Sequence, residues 1–356
     1  LIVNRNTAKA LTFRPVARYT GLQSGLQGGV DMVKQQVLAA LDAARGRYIS
    51  GQELAAQLGV SRTAVWKAAC RLREQGYAIE SVTRLGYRLT ALPDGMTKEL
   101  LEQYLPQGRG ETVICYEETD STNTRGMQLA LEGAPTGTVV LADRQTHGNG
   151  RLGRSFASPA GQGVYLSYLL RPDFDPAALS LLTSCAGLAV CQVLEQHGLA
   201  PAIKWPNDII LDRRKVCGIL TEAALDMESG MLDYAVLGLG FNITAPPDGW
   251  PAELQDVAGA LFDDAPPPGA RAALAAAFLN EFWALYHGVP KPEYLPEYRA
   301  RQALLGQTVT VTPRNGTPRK AEALDIDEDC RLVVRFAGEH NSVPLRGEEV
   351  HLGKYL

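Results

Sequence analysis

The spacing of apolar residues changes period once along this chain, and that change requires at least two separately built bodies. From Val33 to Leu92 apolar positions recur at helical intervals of three and four. Past Pro93-Asp-Gly-Met-Thr97, a run of turn formers, they fall into β-branched and aromatic runs interleaved with helices. At 356 residues the chain has room for two or three domains.

In the first body, Val37, Leu38 and Leu41 mark a helix. Ser50–Gly59 is a short second helix with Leu54 and Leu58 on one side, closed by a glycine suited to a left-handed turn. Ser61 is a natural N-cap for a third helix through Glu74 that turns Val65, Ala68, Ala69 and Leu72 inward. Its outer face carries Arg62, Thr63, Lys67 and Arg71. Tyr77–Val82, a turn at Arg84–Gly86 and Tyr87–Leu89 complete a two-stranded wing. The segment 33–92 is thus expected to be a winged helix-turn-helix, with Ser61, Arg62, Thr63, Lys67 and Arg71 as the DNA-binding residues. Nine basic residues face four acidic ones here, a local +5 in a chain of net −4, so the remainder carries −9. A basic module on an acidic body suggests a localised anionic partner, though winged helices also serve as protein-interaction modules. Residues 1–30 have no periodicity and are expected to be a disordered or spurious tail.

The second body reads as α+β. Strands are expected at Thr112–Tyr116, Thr138–Ala142, Val164–Leu170, Ala202–Trp205, Ile209–Leu211, Val216–Ala223 and Tyr234–Gly240, with a closing helix at Ala270–Tyr286. The apolar stretch Leu179–Leu194 is interrupted by Thr183, Ser184 and Gln192. It reads as a buried helix too short to span a bilayer, and no membrane association is expected. From Thr308 onward, short strands broken at Asn315-Gly316 and Asp327–Asp329 suggest a small β-barrel. The expected domains are therefore 33–92, 97–300 and 303–356. Six scattered cysteines (70, 115, 185, 191, 217, 330), none in a CxxC pair, indicate neither a disulfide framework nor a zinc site. No signal peptide is legible, so the expected compartment is the reducing cytoplasm. Cys217, in an apolar strand, is expected in the core.

Two segments carry the chemistry. His147–Pro159 sets three glycines and two arginines between strands, and such a loop can bring backbone N–H groups and guanidinium donors to an anion. It is neither a Walker A loop nor a dinucleotide fingerprint, and a plain solvent-exposed loop is the competing reading. Lys204-Trp-Pro-Asn-Asp208 with Arg214-Lys-Val-Cys-Gly-Ile-Leu220 is more demanding. A lysine entering an apolar strand needs a partner, Asn207 and Asp208 could offer oxygens to Mg²⁺, and Lys215 can point into the same cleft. Asp120-Ser-Thr-Asn123 starts a helix, for which capping is a sufficient explanation by itself.

In that order these four motifs resemble the biotin protein ligases, and the domain order resembles the bifunctional biotin operon repressors. The resemblance runs from about Val33 to the C-terminus. It implies a biotin/lipoate ligase-like mixed sheet with helices, and an SH3-like barrel at the C-terminal end. It also implies an enzyme that joins biotin to ATP as biotinoyl-5′-AMP and passes it to a lysine of the biotin carboxyl carrier domain of a carboxylase. By the same resemblance Ser121, Thr122, Asn123, Gln145, Asn149, Gly150, Arg151 and Lys215 bind biotin. Gly148, Arg151, Arg154, Asn207 and Asn242 serve the nucleotide. Arg151, Lys204, Asp208 and Lys215 serve the chemistry, with Mg²⁺ at Asp208. Relatives often carry Arg or Lys where Asn149 stands, and some carry Arg at Leu152. Operator DNA and a homodimer formed with the adenylate are the further partners implied. A lipoate or octanoate ligase shares the fold, but its usual Arg-Arg-x-Ser-Gly-Gly-Gly loop is absent. A ligand-sensing transcription factor with a silent catalytic domain is the non-enzymatic alternative.

Overall fold

Ser50 and Ser61 open helices as their sequence context dictates: each hydroxyl accepts the backbone N–H three residues on, from Glu53 and Ala64, both at 3.1 Å. Between them Gly59 takes φ 67°, ψ 29°, a conformation that a Cβ would strain. The computed structural model describes residues 29–352 except 45, 94, 107–110, 290, 292, 314–316 and 346–349. It divides into two compact units that meet in sequence between Gly95 and Met96. The expected tail lies outside the described residues up to 28, while positions 29 and 30 already belong to the first helix.

The smaller unit comprises α1 (Gly29–Ala43), α2 (Gly51–Leu58), α3 (Arg62–Glu74), β1 (Ala78–Val82) and β2 (Gly86–Ala91). Val37, Leu41, Leu54, Val65, Ala69 and Leu72 bury to 1% exposure or less, so the three helices share one core. The wing strands pair antiparallel, from Val82 opposite Gly86 back to Ala78 opposite Ala91.

The larger unit runs α4 (Lys98–Glu102), β3 (Thr112–Thr119), α5 (Thr122–Leu131), β4 (Thr138–Gln145), β5 (Gly163–Leu170), α6 (Leu179–Gln196), β6 (Ala202–Lys204), β7 (Asp208–Leu211), β8 (Arg214–Leu225), β9 (Leu232–Asn242), α7 (Ala270–Tyr286) and α8 (Leu295–Ala300). Its sheet has the order β3-β4-β5-β9-β8-β7-β6. The β3–β4 pair is parallel and every other pair antiparallel. Successive strand residues face opposite sides. Ser167 of β5 meets α5, whereas Tyr168 meets Phe282 and Trp283 of α7, so the two helices cover opposite faces. This explains why β5 is buried along its whole length.

One sequence expectation needs correction. With its leading turn the α6 helix spans Pro176–Gln196, 21 residues that include an 18-residue stretch of mean hydropathy 1.9, and by length and composition it could cross a bilayer. Twelve of the eighteen residues of Leu179–Gln196 are buried, and Cys185 Sγ lies 4.0 Å from the Phe282 carbonyl of α7. It serves as the central core helix. The six cysteines are free, and Cys217 is fully buried.

Beyond α8, β10 (Thr308–Pro313), β11 (Arg319–Ile326), β12 (Leu332–Phe336), β13 (Ser342–Leu345) and β14 (Val350–Leu352) form one antiparallel sheet of order β13-β12-β11-β10-β14. Its β11–β12 turn is tied to the central body. Trp205 Nε1 donates to the Cys330 carbonyl at 2.8 Å, and Arg299 Nε donates to that of Ile326 at 2.5 Å. The tryptophan of the Lys-Trp-Pro-Asn-Asp motif thus acts as a structural tie.

Candidate active site

The floor of the site is where α5 begins. Ser121 stands at its N-cap, yet its hydroxyl caps nothing. Instead the Thr122 backbone N–H donates to Gln145 Oε1, at the end of β4, at 2.8 Å. Capping therefore does not account for Asp120-Ser-Thr-Asn123. Burial would raise the Asp120 pKa, but hydrogen bonds from the Ser121 N–H and the Thr119 hydroxyl, with Arg125 beside it, hold it below its ordinary value. Asn123 descends onto the middle of the sheet. Its Nδ2 donates to Glu222 Oε2 at 2.8 Å, and its Oδ1 lies 2.5 Å from Ser167 Oγ. This is possible because position 238 is glycine: a Cβ there would stand 2.2 Å from Asn123 Oδ1.

The glycine loop is exposed at Asn149 and over Leu152–Ser155, yet hydrogen bonds hold its course. Gly150 N–H donates to the Arg154 carbonyl at 2.7 Å, Phe156 N–H to that of Gly148 at 2.8 Å, and Leu152 turns the chain at φ 57°. Arg151 Nη1 donates to Asn207 Oδ1 at 3.1 Å, which joins the loop to the Lys-Trp-Pro-Asn-Asp turn. Asn149 Nδ2 reaches Thr124 Oγ1 at 3.5 Å. The Phe156 ring lies over Gly240, where a Cβ would come within 2.5 Å of it.

On the other wall, Lys215 Nζ is 2.6 Å from Asp208 Oδ1, each side chain about a quarter exposed (27% and 26%). That oxygen accepts no aligned hydrogen bond, so the contact is one of charge rather than direction. Lys204 pairs through its backbone with Asp208, but its side chain makes no hydrogen bond or ion pair with any described residue. Burial pulls its pKa below 10.5, Asp208 opposes the shift, and Lys215 and Arg154 add to it. Asn242 is buried and donates to the carbonyls of Lys215 and Gly259 at 3.2 and 3.0 Å, so it holds backbone.

These elements enclose a narrow cleft of about 50 Å³. Ser121, Thr122, Asn123 and Gln145 form its floor, and Asn149, Gly150, Arg151, Asn207 and Lys215 its mouth. Of the other anticipated site residues, Gly148, Arg154, Lys204, Asp208 and Asn242 do not line it. Asp208 acts on it through Lys215. A larger hollow of about 630 Å³ adjoins it, sharing Arg151, Ile219 and Leu220 and bordered by Trp205 and Cys330. The hollow lacks the polar floor and Lys215, so the chemistry belongs to the narrow cleft. Sequence reading overlooked Phe156, Gly218, Ser158, Ser167 and Glu222. A polar Ser167 and an acidic Glu222 inside apolar strands, and glycines two apart at 238 and 240 on one strand face, were the available signals.

In the smaller unit, Arg62, Thr63, Lys67 and Arg71 are exposed on α3 around Trp66, itself 54% exposed. Ser61 is engaged as the cap.

Residues 115–242 match the Biotin/lipoate A/B protein ligase family, and residues 33–88 an HTH domain. The bifunctional ligase/repressor BirA of Bacillus subtilis is 35% identical over 309 residues, 85% of this chain and 94% of that protein. The chain belongs to the BirA-type bifunctional ligase/repressors. A biotin--[acetyl-CoA-carboxylase] ligase of Mycobacterium tuberculosis is 32% identical over 72% of this chain and 95% of its own length. A biotin protein ligase from Aquifex aeolicus, solved with biotin and ATP, superposes with TM-score 0.58 at 27% identity, covering 68% of this chain and 99% of its own. Every cleft residue of this BirA-type chain lies within the stretch matched to the ligase family, and the exposed face of α3 lies within the HTH match.

Proposed function

We propose that this chain activates biotin with ATP and transfers it to a lysine of a biotin carboxyl carrier domain, and that its winged helix binds operator DNA. The observation that carries the enzymatic half is the cleft itself. It joins a floor of fixed hydrogen-bonding groups, suited to a polar ring, to a mouth where Arg151 and Lys215 can meet two anions.

In the first step an oxygen of the biotin carboxylate attacks the α-phosphorus of ATP. The bond to the β-phosphate oxygen breaks, and pyrophosphate leaves. Without cations, carboxylate and polyphosphate repel. Lys215 holds the carboxylate, and Arg151, Arg154 and Lys204 spread charge along the phosphates. Ser121, Thr122, Asn123 and Gln145 fix the ring, and Asn149 and Gly150 close over it. Gly148 and Asn207 serve the nucleotide side, and Asn242 does so by holding the backbone at Lys215. In the second step the carrier lysine attacks the acyl carbon and AMP leaves. The mixed anhydride hydrolyses in water, so the loop through Phe156 also shields it. No enzyme nucleophile is needed. A magnesium ion at Asp208 would have to use Oδ2, because Oδ1 is buried and already lies 2.6 Å from the Lys215 ammonium. With one carboxylate, such an ion would be held jointly with the nucleotide's phosphates, whose charge it offsets.

The domains are 33–92, 97–300 and 303–356, the last an SH3-like barrel built on the five-stranded sheet. The enzyme works in the cytoplasm and dimerises when the adenylate is bound. The mass of a carrier domain should rise by one biotinyl group on incubation with chain, biotin and Mg-ATP. No increase, or an equal increase with lipoate, overturns the ligase reading. DNA from the promoters of its own biotin genes should shift in a gel when biotin and ATP are present. No shift at moderate salt leaves a ligase with a vestigial DNA module.

A further inference from the structure

Trp66 stands on α3 at 54% exposure, while Val65, Ala68, Ala69 and Leu72 of the same helix are buried. A single apolar side chain at a surface needs no explanation, but this one keeps unusual company. Arg62 and Thr63 lie one turn before it, Lys67 follows it, and Arg71 lies one turn beyond Lys67, all exposed. The helix has no acid in its first turn, and its first acid is Glu74, its last residue. None of the three cationic side chains makes an ion pair or hydrogen bond among the described residues, and the Trp66 side chain makes no ring contact or hydrogen bond there.

Covering this face with an apolar surface would strip water from three unpaired cations, which is costly. Its partner must therefore bring negative charge around an apolar contact. Duplex DNA does both. Phosphates line the major groove, and among the base edges on its floor thymine alone presents an apolar group, the C5-methyl. The other bases present donors and acceptors there, which the face of an indole would desolvate and leave unpaired.

We infer that Trp66 is a specificity residue that lays its ring on thymine methyls in the major groove, while Arg62, Lys67 and Arg71 hold phosphates. This rests on the operator-binding half of the reading above. Trp66 is the fifth residue of α3, within the N-terminal half that a recognition helix brings to base edges. The cations then position the chain without regard to sequence, and the indole selects bases.

The test uses the full chain with biotin and Mg-ATP. Fluorescence anisotropy measures its Kd for the promoter fragment of its own biotin genes, made with thymine or with uracil throughout. Uracil pairs as thymine does and lacks the methyl. Each methyl covered contributes about fourfold, so a wild-type indole on two of them should make binding to the uracil fragment about tenfold weaker. Trp66→Ala should bind the thymine fragment about tenfold more weakly than wild type and reduce the thymine preference to about threefold or less, with its melting temperature unchanged. It removes no charge, so its slope of log Kd against log salt should match wild type. Lys67→Ala should instead lower that slope by about one and keep the thymine preference. A wild-type preference below threefold, or one that Trp66→Ala leaves within twofold of wild type, overturns the assignment. A wild-type chain that binds neither fragment overturns the operator reading itself, and the role of Trp66 with it.

Discussion

Replacing Lys215 with alanine removes an ammonium lying 2.6 Å from Asp208 Oδ1 and beside the Phe156 ring, at the mouth of the cleft. Two unit charges about 4 Å apart interact by about 4 kcal/mol at an effective dielectric constant near 20. The side chain is 27% exposed and Asp208 already screens part of its charge, so the stabilisation of an approaching carboxylate and phosphate is smaller. About 2–3 kcal/mol is a fair magnitude, and at 1.36 kcal/mol per decade adenylate formation should slow roughly 30- to 150-fold. The fold should tolerate the change, because a partly exposed ion pair contributes only about 1 kcal/mol or less. The assay is single-turnover pyrophosphate release with enzyme in excess over biotin, alongside a thermal melt. A rate within threefold of wild type would refute the charge-bridging role. A collapse of the melt would refute the separation of catalysis from stability.

Lys204→Met should raise the melting temperature by roughly 2–4 °C at pH 7 while slowing adenylation about tenfold. The folded-state pKa of Lys204 is depressed, so the cost of its charge is present below that pKa and fades as pH rises through it toward 10.5. The variant's advantage should shrink over the same rise, as melts at several pH values would report. Gly238→Ala sets a Cβ against Asn123 Oδ1 and should raise KM for biotin at least about tenfold, with KM for ATP little changed. Initial rates against each substrate decide it. Arg271 is 2% exposed, with Nη2 2.5 Å from Asp143 and Nε donating to the Gly163 carbonyl at 2.9 Å. Arg271→Met leaves both partners bare and should cost about 2–4 kcal/mol in denaturant unfolding, and a loss under 1 kcal/mol would contradict the pairing.

Much of this molecule was legible in its sequence because the deciding forces are local. Ser50 and Ser61 delimit their helices with hydroxyls that reach only three residues on, Gly59 does so with its own backbone, and the period change near Pro93 separates the two units. Runs of β-branched, aromatic and other apolar residues mark β4, β5, β8 and β9. The Gly-Arg loop and the Lys-Trp-Pro-Asn-Asp turn also announce themselves, since glycines and cations there have no local structural reason. What folding alone decides is which groups meet across the sheet. Gln145 rather than Ser121 serves the start of α5, Trp205 ties down the β11–β12 turn, and Arg151 reaches Asn207 from 56 residues away. Glu222 finds Asn123 99 residues distant. Hydrogen bonds and ion pairs act over about 3 Å, and strand order, which no local pattern encodes, determines which side chains come that close.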